Sequence, residues 1–152
     1  MKYRILALLL TALSSVSAAA QSQADYYGFW WNEDRSGIFE LLEADDGIKG
    51  ITRWGKKQDT DRNNPDPALR NRNLGGITFL WGYTYDPQKN RWKDGKVYDP
   101  KNGKTYDAKM ELDDDGQILK MCGYIGISLL GRTARFERVS EEELPDEVRM
   151  GM

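Results

Sequence analysis

The feature that most constrains this chain is the recurrence of turn signals, about every 8 to 12 residues, between runs rich in aromatic and β-branched side chains. That spacing leaves no room for a long helix, so the apolar side chains must be buried by short strands. Tyr26 to Trp31 is the first run. Gly37 to Glu43 follows and meets Ile48 to Trp54 across Asp45-Asp46-Gly47, a hairpin turn that tolerates positive φ. Ile77 to Tyr85 reads as one strand, with Ile77, Phe79, Trp81, Tyr83 and Tyr85 on one face and Leu80 on the other. Trp92 to Tyr98 lies between the turns Tyr85-Asp86-Pro87 and Tyr98-Asp99-Pro100. The clearest period of two comes next, where Tyr106, Ala108, Met110 and Leu112 alternate with Thr105, Asp107, Lys109 and Glu111. Asp113-Asp114-Asp115-Gly116 turns the chain into Gln117 to Ile127, and Arg132 to Val139 ends the series.

Eight antiparallel strands in a meander remove their unpaired edges by closing on themselves. The chain is therefore expected to form an all-β, eight-stranded, up-and-down barrel, one domain spanning residues 21–139, wide enough for packed side chains or one small ligand. The acidic tail, 140–152, contains Pro145 and is expected to be either a capped helical turn or unstructured. Residues 1–20 read as a signal peptide: Lys2 and Arg4 precede the apolar run Ile5 to Leu13, and Ala18-Ala19-Ala20 supplies a small-residue cleavage site. That run is well short of the roughly 20 residues that cross a bilayer, so the expected location is the periplasm or the exterior, with no membrane span after signal removal.

Composition narrows the chemistry. With no His and one Cys, the chain has no imidazole or thiolate ligand set, and no metal or other cofactor is expected. Removing Lys2 and Arg4 leaves 20 basic against 24 acidic residues, which disfavours nucleic acid as a partner. Asp59-Thr60-Asp61-Arg62-Asn63 starts like a calcium loop, but Asn64 stands at the glycine position and Arg70 at the final glutamate position. No G-x-S-x-G elbow or phosphate-cradling loop is present, so catalysis is the least favoured reading, and only paired carboxylates would serve a His-independent hydrolase.

Gly28-Phe29-Trp30 resembles the G-x-W signature of lipocalin-like barrels, whose Trp closes the barrel floor under a last-strand Arg, here Arg138. More specific are Asn64-Pro65-Asp66-Pro67-Ala68-Leu69-Arg70-Asn71-Arg72, then Asp94 to Pro100 with Gly103-Lys104-Thr105-Tyr106, then Gly123 to Thr133. Together these resemble the exported bacterial family catalogued as domain of unknown function 2147, from about Gly28 to Val139. The resemblance implies a lipocalin-like barrel. Two positions depart from the pattern: Cys122 stands where relatives often carry Arg, and Phe136 where they often carry Trp.

Candidate site residues each have a plainer alternative. Gly28, Trp30 and Arg138 are read as barrel closure through a cation–π contact, in preference to ligand contact. The long loop from Gly55 to Asn73 carries Arg70 and Arg72, which could grip an anionic head group as a lid or simply belong to a solvated loop. Trp81 would line the barrel wall. Tyr98, Lys104 and Tyr106 bracket a turn where a lysine beside two phenols could receive a carboxylate; the alternative is turn chemistry alone, with Asp99 accepting from backbone donors of its own turn and Gly103 supplying positive φ. Cys122 is expected to be buried and inert. The resulting expectation is a binder of one small apolar or amphiphilic molecule, with a cell-envelope scaffold of filled core as the alternative.

Overall fold

The computed structural model describes residues 21–113, 115–124 and 131–151. The signal segment and the Ile125–Ile127 portion of the seventh expected strand lie outside the described residues. Among the described residues nine strands form one antiparallel sheet: β1 Gly28–Trp31, β2 Gly37–Ala44, β3 Gly47–Gly55, β4 Thr78–Trp81, β5 Thr84–Asp86, β6 Arg91–Asp99, β7 Lys104–Leu112, β8 Ile118–Tyr124 and β9 Thr133–Glu137. Their order is β1-β2-β3-β4-β6-β7-β8-β9, with β5 also paired to β6. The β4 and β5 strands are two halves of one stave: Leu80 and Trp81 pair with Val97 and Lys96, while Thr84, Tyr85 and Asp86 pair with Lys93, Trp92 and Arg91 further along β6. The barrel thus has eight staves. It closes where Trp30 bridges Arg138 and the Val139 N–H donates to the Phe29 carbonyl at 3.0 Å.

Two expected strands need correction. Ile77 to Tyr85 is not continuous, because Gly82 adopts φ +72° and breaks the stave between Trp81 and Thr84. The predicted alternation fails with it: Leu80 is fully buried, while Trp81 is 37% exposed and faces outward opposite Lys96. At the other site, Gln23–Tyr26 is a 3-10 turn, so the first strand starts only at Gly28. Tyr26 nevertheless enters the core, where its hydroxyl donates to the Asn90 carbonyl at 2.7 Å and accepts from the Leu112 N–H at 3.2 Å.

The β2–β3 hairpin shows why one glycine is required. Ala44 pairs with Gly47 across Asp45-Asp46, Gly47 sits at φ +122°, and a Cβ there would fall 2.2 Å from the Tyr83 carbonyl oxygen. Inward-facing Trp30, Leu41, Ile48, Leu80, Trp92, Met110 and Leu119 fill the lower barrel, each burial contributing about 1.5–3 kcal/mol. A second apolar cluster lies outside the barrel, where Leu144 and Val148 of the tail pack with Trp31, Ile38 and Val139. The tail forms a 3-10 turn, Glu141–Glu143, and a short helix α1, Asp146–Arg149. Arg35 fastens it by ion pairs to Glu137 at 2.8 Å and to Glu143.

Candidate functional site: the open end of the barrel

The two ends of the barrel differ. At the end where β1 begins and β9 finishes, the Arg138 guanidinium stacks 4.1 Å from the centre of the Trp30 ring. It also donates to the carbonyls of Gly116 at 2.9 Å and Tyr27 at 3.0 Å. Gly28, at φ +109°, leaves room for this side chain; a Cβ there would be 3.5 Å from Nη1 of Arg138. Burial draws the guanidinium below its ordinary value, with Asp25 and Asp113 opposing. The stacked cation and Tyr26 shut this floor.

Toward the opposite end the inward rows open. Ala108 and Met110 are fully buried on β7, yet Tyr106, the next inward residue, is only half-buried, as is its partner Val97 on β6. Ala134 on β9 and Phe79 on β4 are half-buried in the same way, and Phe136 is half-buried nearer the floor, opposite Leu119. Phe39 meets Phe79 and Phe136 edge to face at 5.2 and 5.1 Å, which makes an aromatic layer beneath this opening. The result is partly uncovered inward-facing apolar surface bordered by the polar Asn102 and Lys104. The Tyr106 hydroxyl accepts from Asn102 Nδ2 at 2.9 Å, and Lys104 occupies the next position of the same row, exposed at the edge.

The loop between β3 and β4 is not a lid. Asp61 is fully buried, and its carboxylate accepts from the Tyr98 hydroxyl at 2.5 Å, Asn64 Nδ2 at 2.7 Å and Arg72 Nε at 2.9 Å. Burial alone would raise this carboxyl; the donors from Tyr98, Asn64 and Arg72 outweigh it and hold Asp61 below the usual carboxylate range. The Tyr98 phenol is pushed up to about 12 by burial and by its bond to Asp61. Asn63 Nδ2 donates to the carbonyls of Pro100 and Lys101, tying the loop to the β6–β7 turn, where a Cβ on Gly103 would strike the Asn63 carbonyl at 1.9 Å.

A family model described as an uncharacterized protein conserved in bacteria, DUF2147, matches residues 28–138. The chain belongs to the DUF2147 family. A solved structure titled "Protein HP1028 from the human pathogen Helicobacter pylori belongs to the lipocalin family" is similar to this DUF2147 protein with a TM-score of 0.68 and 24% identity, over 84% of this chain and 97% of that one. That likeness carries the fold. No protein of curated function matches the chain.

The DUF2147 barrel separates the candidate residues into three places. Lys104 and Tyr106 share the inward row at the open end. Tyr98 lies on the outward side of β6 under the loop, because Val97 takes the inward position beside it; the two phenols therefore do not flank Lys104 together. Arg72 is spent on Asp61, and Arg70 Nε donates to the Asn64 carbonyl at 2.8 Å, so both arginines build the loop. Trp81 stands on the outer surface. Cys122, expected to be buried, is half-buried opposite Lys109. Sequence reasoning missed Asp61. It was visible only as part of a failed calcium loop, and no local pattern marks a carboxylate that will meet a tyrosine 37 residues away.

Proposed function

We propose that this protein is exported and holds one small apolar or amphiphilic molecule at the open end of its barrel, without catalysing a reaction on it. The carrying observation is the half-exposure of inward-facing Phe79, Val97 and Tyr106, beside which Leu80, Gly95 and Ala108, one step deeper on the same strands, are buried. Apolar surface left inward-facing and uncovered is what a ligand would desolvate, and Lys104 with Tyr106 at the rim would orient a polar head. The lipocalin-like fold supports the same reading. Export rests on Lys2, Arg4, Ile5 to Leu13 and Ala18 to Ala20, and a mature chain beginning at Gln21 in the periplasm is expected by intact mass.

The filled lower barrel favours the second reading, an envelope interaction module whose core is wholly its own side chains. Native mass spectrometry of the protein recovered from bacterial periplasm separates the two. A retained lipid-like mass, lost when Tyr106 and Val97 are both changed to charged residues, supports binding. A clean apo mass across preparations, with no uptake of added amphiphiles, refutes it.

A further inference from the structure

The turn between β6 and β7 decides which way the hydrogen-bond donors face at the open end, and Asn102 is its centre. The Asn102 amide is oriented twice over: Oδ1 accepts from the Lys104 backbone N–H at 2.9 Å, and Nδ2 donates to the Asp99 carboxylate at 3.0 Å. A flipped amide would set an NH2 against an N–H and an oxygen against a carboxylate, so only this orientation satisfies both neighbours. The second hydrogen of Nδ2 then goes to the Tyr106 hydroxyl, whose oxygen accepts it at 2.9 Å. A phenol carries one proton of its own, and Asn102 Nδ2 cannot receive it. Among the described residues no acceptor meets the Tyr106 proton.

The place of this free donor matches the binding surface. Tyr106 is half-buried on the inward row, its cross-strand partner Val97 is half-buried beside it, and Ala108, the next inward residue on β7, is fully buried. The hydroxyl therefore stands where apolar surface meets solvent. Lys104 lies two residues further out on the same face, about 7 Å along the strand, within reach of its long side chain. It is exposed and makes no ion pair among the described residues. Its cross-strand neighbour Asp99 is engaged by its own turn, one carboxylate oxygen accepting from the Lys101 N–H at 2.9 Å and the other from Asn102. Asn63 holds that turn from outside through the carbonyls of Pro100 and Lys101. The rim thus offers a phenol O–H and an ammonium, two donors, and both ask for an acceptor.

We propose that the Tyr106 hydroxyl, kept as a donor by Asn102, selects a ligand whose head group is a carboxylate, with Lys104 supplying the counter-charge and Val97 meeting the apolar chain. This rests on the binding reading above and names the head group within it. The test measures decanoate, methyl decanoate and decylammonium by isothermal titration calorimetry on the full mature chain; they share one chain and present an anionic acceptor, a neutral acceptor and a cationic donor. Decanoate should bind tightest and decylammonium weakest, about tenfold or more apart. Tyr106→Phe, which keeps the ring, should weaken decanoate about tenfold and methyl decanoate about fivefold while leaving decylammonium unchanged. Lys104→Met should weaken decanoate alone. Infrared spectra give a readout independent of affinity: the carbonyl stretch of bound methyl decanoate should lie at lower frequency in the wild type than in Tyr106→Phe.

Decylammonium binding as tightly as decanoate, equal weakening of all three probes by Tyr106→Phe, an unshifted ester carbonyl, or decanoate binding untouched by Lys104→Met overturns the head-group assignment while leaving a binding barrel in place. Failure of all three probes to bind the wild type removes the binding reading itself.

Discussion

Substitution of Asp61 by Asn tests whether a single carboxylate organises the β3–β4 loop. The change preserves volume but removes the charge and turns one acceptor oxygen into an NH2 that faces donors. Four contacts are affected: Tyr98 Oη at 2.5 Å, Asn64 Nδ2 at 2.7 Å, and Arg72 through Nε at 2.9 Å and Nη2 at 2.7 Å. Breaking a buried charged pair by altering one partner costs about 3–5 kcal/mol. Because the Arg72 side chain is 37% exposed and can be rehydrated, the lower end applies, about 3 kcal/mol. At roughly 3–4 °C per kcal/mol for a domain of this size, the melting temperature should fall by about 10 °C. Urea unfolding measures the free energy, and limited trypsin digestion reports the loop directly, since Lys57, Arg62, Arg70 and Arg72 lie within it. Released from Asp61, these sites should be cut well before the barrel unfolds. Asp59→Asn is the control, because Asp59 reaches only the exposed Arg62 and its own turn. An Asp61→Asn protein with wild-type stability and an unchanged digestion pattern would show that the network is incidental.

Gly95→Ala should destabilise by about 1–3 kcal/mol or more in urea, since the new methyl would overlap the Tyr83 ring at 2.0 Å. Gly123→Ala should be tolerated, its nearest neighbour being 3.7 Å away; equal effects at the two glycines would contradict the seating of Tyr83. The alkaline limb of stability follows from Tyr98. Its folded value of about 12 lies above the value near 10 of an unfolded phenol, so its contribution is complete below about pH 10 and is lost as pH rises toward 12. The unfolding free energy should be level from pH 7 to 9 and then decline, with Tyr26 and Tyr83 adding to the slope. Tyr98→Phe should make the decline shallower, and an unchanged slope would remove Tyr98 from the account.

Some of this architecture was legible because it depends on neighbours in sequence. The alternation through Tyr106, Ala108, Met110 and Leu112 survives intact, since pleating alone sends every second side chain to one face. The same rule failed at Ile77 to Tyr85. There Gly82 broke the stave and a register shift at Gly50/Ile51 lay on the facing strand, so Leu80 turned inward and Trp81 outward. Arg70 and Arg72 read as free cations because nothing near them announces Asp61 or the Asn64 carbonyl as their partners. Tyr98 and Tyr106 stand on opposite faces of one hairpin, and only the loop folding over β6 distinguishes the pinned phenol from the rim phenol.

The order of elements, the antiparallel meander and its closure are therefore properties of the linear chain: turn residues and period-two burial are local, and eight such strands have one economical way to hide their edges. Which end stays open and which charges are consumed by the loop were decided only in three dimensions. These depend on contacts between residues dozens of positions apart, where one glycine or one bulge reverses the face a side chain presents.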